Sequence, residues 1–132
     1  MDKTIIFIIV IVILSGLAFW ALQSGVLANI FSGPVKPAVM PEGIVLFYGD
    51  TCAHCKNVED FIIQNKVEDK VKFTRLEIFR NQSNALLAAN TEQSCGIDIS
   101  KGASVPLLWD GTKCYPGEID VINFFKNAAG IK

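Results

Sequence analysis

The sequence has no charged residue and no histidine between Thr4 and Val35. Of its 12 basic and 13 acidic residues, all except Lys3 and Asp2 therefore lie beyond Val35. That later part has mixed charge and lacks a basic stripe, which argues against nucleic acid as a partner, because phosphate binding needs clustered Lys and Arg. The 132 residues also lack internal repeats and low-complexity tracts. A chain of this length has room for one small domain and an accessory segment.

The uncharged segment opens with a continuous apolar run from Thr4 to Leu22. At about 1.5 Å rise per residue, a helix of this length comes close to spanning the ~30 Å hydrocarbon layer of a bilayer. Trp20 and Lys3 stand where interfacial residues are typical of membrane helices. The run therefore predicts a single-pass membrane anchor.

This interpretation gives an N-terminal signal anchor over residues 1–22, a Pro- and Gly-containing linker over residues 23–41, and a folded domain over residues 42–132. One alternative is a cleaved signal peptide, with Val26-Leu27-Ala28 as the processing site, and another is a buried core helix. The apolar run is longer than the roughly 7–15 residues of a signal core, which favours the anchor. With either an anchor or a signal peptide, the domain is exported. We expect a protein of the cell membrane whose soluble domain faces the extracytoplasmic side.

Hydrophobic periodicity predicts a βαβ unit, then a helix, then a β-hairpin and a closing helix. The predicted elements are a buried strand Ile44–Tyr48, a helix opened by Cys52, a strictly alternating strand Val71–Ile78 with one solvated face, a helix capped by Asn81 or Ser83, a hairpin of Val105–Trp109 and Thr112–Tyr115 around Asp110-Gly111, and a closing helix with its apolar stripe at Ile119, Ile122, Phe125 and Ala129. A βαβ start requires parallel pairing and a hairpin requires antiparallel pairing, so the sheet should be mixed.

A pair of cysteines, Cys52-Ala53-His54-Cys55, stands at the predicted start of the first helix of the domain. There the first sulfur lies among unpaired N–H groups at the positive end of the helix dipole, which favours thiolate over thiol. His54 adds a positive charge in the same turn when it is protonated. Cys55 lies one turn on and shares the apolar face, so we expect it to be buried. The pattern predicts an exposed nucleophile, Cys52, and a shielded resolving thiol, Cys55, that exchange disulfides through a mixed-disulfide intermediate.

The segment from Phe47 to Lys56, together with Val105-Pro106, Gly111 and Gly117, resembles the thioredoxin/glutaredoxin superfamily over about residues 42–132. The resemblance implies an α/β fold of thioredoxin-like, glutaredoxin-type order βαβ-α-ββα with a mixed four-stranded sheet. It implies a cis proline that faces the cysteine pair, and a residue before it, Val105, whose backbone pairs with an incoming peptide.

In functional terms, the resemblance implies a thiol–disulfide oxidoreductase with Cys52, Cys55 and His54 as catalytic residues, Val105 and Pro106 as substrate-binding residues, and no cofactor. Protein thiols and disulfides would be its substrates. The Cys-x-His-Cys form resembles oxidase and isomerase members, and for an oxidant the resemblance implies recycling by a quinone-linked membrane oxidoreductase. One departure is Thr51, which stands where thioredoxins have Trp.

The other two cysteines, Cys95 and Cys114, are predicted to form a structural disulfide, because the element order brings both to the end of the sheet remote from Cys52. The alternative is that Cys95 and Cys114 form a second redox pair that relays electrons. A Cys₄ zinc site is disfavoured by the wide gap between Cys95 and Cys114, and haem attachment by Lys56 in place of the required histidine. A copper- or zinc-handling module and an inert interaction domain on a membrane stalk stay open as other functions.

Overall fold

The computed structural model describes residues 2–23 and 35–132, which belong to two compact units. The first contains helix α1 (Lys3–Gln23). Its window Lys3–Trp20 is long and apolar enough to cross a membrane and has no buried residue, properties that a signal sequence shares. The main part of the predicted linker, residues 24–34, lies outside the described residues.

The second unit, Lys36–Lys132, contains a four-stranded sheet and three α-helices. Its elements are strand β1 (Ile44–Tyr48), helix α2 (Ala53–Gln64), a 3₁₀ turn (Val67–Asp69), strand β2 (Phe73–Glu77), helix α3 (Gln82–Ser94), strands β3 (Leu107–Trp109) and β4 (Cys114–Pro116), and helix α4 (Gly117–Ala129). The strand order is β2-β1-β3-β4, with β1 parallel to β2 and antiparallel to β3, and with β3 antiparallel to β4. The predicted α/β, thioredoxin-like order with a mixed sheet is confirmed.

The sheet is covered on both faces because successive side chains of a strand point in opposite directions. Leu46 of β1 packs with the buried faces of α2 and α4. Its neighbours Val45 and Phe47 pack with the buried face of α3. The two cores hold α2 and α3 against opposite faces of the same central strand, and this fixes where the start of α2 lies.

Strand β2 differs from its prediction, because both of its faces are covered. Phe73 packs on the core beneath α2 and α4, and Leu76 packs on the core beneath α3. The apolar positions of the segment change parity between Phe73 and Leu76, so they cannot all share one face. The expectation of one solvated face was therefore wrong, and the strand is shorter than predicted.

Helix α4 confirms its predicted stripe at Phe125 and Ala129, and Ile122 packs against the core, but Ile119 does not. Val121, Phe125 and Ala129 are buried, whereas Ile119 is 74% exposed. Residues two apart on a helix point in widely different directions, so Ile119 and Val121 cannot both face the sheet. The assignment of Ile119 to the core was wrong, and this side chain lies instead in the exposed first turn of the helix.

The hairpin has a wider turn than an Asp-Gly pair alone would form. Residues 110–113 connect β3 and β4. The side chain of Asp110 accepts hydrogen bonds from the backbone N–H groups of Thr112 and Lys113, at 2.8 and 2.7 Å. Because these two N–H groups are bonded to the Asp110 side chain, Thr112 and Lys113 belong to the turn and not to the strand. Strand β4 therefore begins at Cys114.

Candidate active site

Cys52 is the N-cap of α2, at the point where the chain leaves the central strand β1. Its sulfur accepts a hydrogen bond from the backbone N–H of Cys55 at 3.2 Å. Its thiol is also positioned to donate to the carbonyl oxygen of Val105 at 3.6 Å. Cys52 is partly exposed. The cap thus satisfies an N–H of the first turn and leaves a reachable sulfur beside a second segment of chain.

Cys55 has the opposite environment. It is buried, at 7% exposure, and both cysteines are free thiols in the structure. Burial, followed by the hydrogen bond with Cys52, raises the pKa of Cys55 to about 12. Since a thiol with such a pKa stays protonated at neutral pH, Cys55 is held as a thiol next to the more accessible Cys52.

The second segment of the site is Val105-Pro106, whose peptide bond is cis. Pro106 is buried, and its carbonyl oxygen accepts the N–H of Gly117 at 2.7 Å. Gly117 has a φ of +82°, a conformation that favours glycine. These contacts connect the start of α4 to the segment that touches Cys52, so β1, β3 and α4 all converge on the cysteine pair.

A buried acid supports the segment before Val105. Glu92 of α3 is fully buried, and both of its carboxylate oxygens accept the backbone N–H of Ser104 at 3.1 Å. The Ser104 hydroxyl group donates to the same carboxylate. This pair could not be predicted from the sequence, because no local pattern connects residues 92 and 104. Glu92 thereby anchors the chain one residue before the carbonyl group that contacts Cys52.

His54 lies in the first turn of α2 and is paired with an acid of α4. Its Nδ1 lies 2.7 Å from Oε2 of Glu118, and the amide of Asn57 donates to the same oxygen at 3.0 Å. The hydrogen bond from His54 and then that from Asn57 lower the pKa of Glu118. Sequence reasoning identified His54 but missed Glu118 and Asn57. Residues 54 and 118 meet only through the packing of α2 against α4, for which the sequence carried no signal.

Two open clefts meet at Pro106. The first, of about 360 Å³, is lined by residues that include Cys55, Lys56 and Arg75. The second, of about 560 Å³, is lined by residues that include His54, Glu118 and Ile119. The proline thus separates a cleft lined by charges of both signs, with Asp50 and Glu59 beside the two cations, from one edged by the first turn of α4.

Cys95 and Cys114 are joined in a disulfide, with their Cα atoms 6.1 Å apart. In the register of the sheet, Cys114 pairs with Trp109, which in turn pairs with Val45 near the start of β1. Cys52 follows the other end of β1, so the two cysteine pairs belong to opposite ends of the sheet. Among the described residues, no group of three or more His, Cys, Asp and Glu side chains is arranged to hold a metal ion.

Comparisons with known proteins give a distant likeness only. No family model and no curated protein matches the chain. Among solved structures, it is similar to the trimeric glutathione transferase TDR1 of Leishmania, with 17% identity and a TM-score of 0.47 over 67% of this chain. It is also similar to oxidised glutaredoxin 2 from Chlamydomonas reinhardtii, with 18% identity and a TM-score of 0.37 over 68% of this chain.

The chain covers 84% of that glutaredoxin but only 17% of the transferase. Its own strand order, and a Cys-x-x-Cys pair that caps a helix beside a cis proline, define the thioredoxin-like class. Both cysteines of that pair are free thiols in the structure.

Proposed function

We propose that this protein is a membrane-anchored thiol–disulfide oxidoreductase that acts on protein substrates outside the cytoplasm. The observation that carries the proposal is the asymmetry of its cysteine pair. Cys52 caps α2 and is partly exposed, whereas Cys55 is buried and its pKa is raised to about 12. The Cys52 sulfur is thus accessible to a substrate, whereas the Cys55 sulfur is shielded and stays protonated.

In the reducing direction, the Cys52 thiolate attacks one sulfur of a substrate disulfide and displaces the other as a thiolate. Cys55 then gives up its proton and attacks Cys52, which releases the second substrate thiol and closes the Cys52–Cys55 disulfide. Two electrons pass from the pair to the substrate. The oxidising direction reverses every step. The high pKa of Cys55 disfavours premature attack, so the mixed disulfide has time to form.

Substrate docking is assigned to Val105 and Pro106. The carbonyl group of Val105 lies 3.6 Å from the Cys52 sulfur, so backbone that pairs with this segment would bring its own cysteine to Cys52. Pairing through the main chain gives affinity with little sequence preference, which suits an enzyme with many client proteins.

The location of the domain is inferred from α1 and from the second cysteine pair. The helix is long and apolar enough to span a bilayer. A disulfide such as Cys95–Cys114 persists in oxidising compartments and is rare in the cytosol. For the direction of electron flow we favour oxidase or isomerase chemistry, with a quinone-linked membrane oxidoreductase as the recycling partner. A single-span anchor would keep the domain in the same membrane as such a partner.

Trapping of mixed disulfides tests the proposal. Cys55→Ser removes the resolving thiol, so the full chain should accumulate adducts with client proteins that disappear on reduction with a dithiol. Cys52→Ser should accumulate none, because its remaining sulfur is buried and protonated. Membranes from cells that produce each variant are resolved without reductant, with the double variant as the blank. Equal trapping by the two single variants would contradict the assigned roles.

A further inference from the structure

Glu118 connects the first turns of α2 and α4 beside the redox pair. Its Oε2 accepts from Nδ1 of His54 at 2.7 Å and from the side chain of Asn57 at 3.0 Å. The His54 side chain is 73% exposed, whereas that of Glu118 is 27% exposed. Among the hydrogen bonds of the described residues, Glu118 is the one partner of the imidazole ring. This single carboxylate therefore holds a ring that is otherwise open to solvent.

The contact has two consequences for His54. With Nδ1–H donated to the carboxylate, the neutral ring carries its free lone pair on Nε2. When the ring is protonated, its positive charge lies directly beside a negative one. The carboxylate keeps its charge at neutral pH, since the hydrogen bonds from His54 and then Asn57 lower the pKa of Glu118. The negative charge of Glu118 therefore partly cancels the effect that a positive charge on His54 would have at Cys52.

We propose that Glu118 is a positioning residue of the redox pair, which orients His54, selects its Nδ1–H tautomer and offsets its charge. In this way Glu118 keeps the reduction potential of Cys52–Cys55 below the value that His54 alone would set. The inference rests on the proposed function insofar as it treats Cys52 and Cys55 as redox-active.

The sign of the effect follows from counting charges. Reduction of the disulfide adds two electrons and breaks the Cys52–Cys55 bond; Cys55 takes up one proton, and Cys52 is left as a thiolate or takes up a second proton. Glu118→Gln makes the neighbourhood more positive by one charge, unless the ring gives up its proton, in which case the local charge is unchanged. Extra positive charge stabilises the thiolate and hence the reduced form. The substitution therefore raises the potential when the ring keeps the same protonation state.

Equilibration with glutathione buffers measures this effect. For the full chain in detergent at pH 7, Glu118→Gln should shift the equilibrium constant toward the reduced form by about three- to tenfold, which is roughly 15 to 30 mV. The matched control is Asp120→Asn, which removes the same charge from the same turn of α4 without a hydrogen bond to His54. We expect the control to shift the constant less than twofold.

Equal shifts in the two variants, or no shift in Glu118→Gln, would overturn the proposal. If the unmodified protein does not exchange with glutathione at all, the proposed function fails. In that case the contact between Glu118 and His54 is still tested by the tautomer of the imidazole ring.

The tautomer is directly observable, because His54 is the sole histidine of the chain. The ¹⁵N resonances of its ring, recorded on the neutral imidazole, should show the Nδ1–H form in the unmodified protein. Glu118→Gln should retain that form, because the amide oxygen still accepts a hydrogen bond, whereas Glu118→Ala should lose it. An unchanged ring in Glu118→Ala would refute the positioning role. If that variant does not fold, Glu118→Asp, whose carboxylate is shorter by one methylene, takes its place.

Discussion

At the scale of single residues, the cysteine pair works through a difference in environment between two identical side chains. Cys52 has a hydrogen-bond donor in the helix and an acceptor in Val105, and solvent reaches it. Cys55 is enclosed, and burial is the largest cause of its raised pKa. Position along one helical turn therefore gives the two sulfurs the different environments on which their proposed roles depend.

This difference predicts the pH dependence of thiol modification. A raised pKa keeps Cys55 in its thiol form as pH rises, and the reactive thiolate becomes the major form only as pH approaches about 12. The Cys52→Ser variant removes the contribution of Cys52 to that pKa but keeps burial, which is its largest cause. At pH 8 its Cys55 should therefore react with iodoacetamide at least about tenfold more slowly than a free cysteine, whose thiol ionises near 8.5. Mass spectrometry of timed samples gives the rate.

The matched control for that prediction is the same variant unfolded in urea, in which burial is lost and the reaction should accelerate. A folded Cys52→Ser protein that reacts at the unfolded rate would show that Cys55 is not shielded.

At the scale of elements, the site is assembled from segments far apart in the chain. Helix α2 brings Cys52, the approach to β3 brings Val105, and the start of α4 brings Glu118. Glu92 of α3 completes the arrangement, because it is fully buried and holds Ser104 by its backbone. A polar group buried in this way is costly when its partner is lost, so Glu92 should contribute to stability as well as to placement.

Glu92→Ala should therefore lower the free energy of unfolding by about 2–4 kcal/mol, since it leaves the Ser104 N–H unpaired and opens a cavity. Glu92→Gln should cost less, because one side-chain oxygen still accepts that N–H. Urea unfolding of the full chain in detergent, followed by circular dichroism, provides the measurement. The control is Gln93→Ala, an exposed neighbour on the same helix, for which a change within about 0.5 kcal/mol is expected. A cost for Glu92→Ala no larger than that of the control would mean that the carboxylate is dispensable.

Local sequence pattern predicted the features that depend only on residues within one helix or strand. The helix after Cys52 and a cap of α3 at Asn81 or Ser83 follow from the residues themselves. The structure confirms both and selects Asn81 as the cap. Local pattern failed where two apolar residues are equally suited to burial and only tertiary packing decides which of them is buried. The apolar residues Ile119 and Val121 compete for the core, and only packing against the sheet selects Val121. The contact of Glu118 with His54 belongs to the same kind, because it spans 64 residues.

At the scale of the whole molecule, the two cysteine pairs occupy opposite ends of one sheet. Cys52 follows the end of β1, whereas Cys114 is aligned with the start of β1 through Trp109. The Cys95–Cys114 bond closes a loop with a sequence separation of 19 and ties the end of α3 to β4. Such a position suits a covalent brace for the fold and gives no direct route for electrons to Cys52.

Removal of this brace should change stability but not redox poise. In the entropic model, a loop of this length predicts a loss of about 3 kcal/mol in the free energy of unfolding for the double variant Cys95→Ala/Cys114→Ala. The glutathione equilibrium constant of Cys52–Cys55 should stay within about twofold. Peptide mapping of unreduced protein provides the companion measurement. A dominant species in which Cys95 or Cys114 is linked to Cys52 or Cys55 would favour an electron relay instead.

The capping of α2 by a sulfur atom makes the bond that holds its first turn depend on the oxidation state of the cysteine pair. A thiolate accepts the Cys55 N–H more strongly than a sulfur already engaged in a disulfide, because charge-assisted hydrogen bonds are the stronger kind. An N-cap contributes about 1 kcal/mol to helix stability. A Cys52–Cys55 disulfide would weaken this cap and at the same time close the same turn covalently. The proposed client proteins would therefore meet one surface that is held by a hydrogen bond in the reduced state and by a covalent bond in the oxidised state.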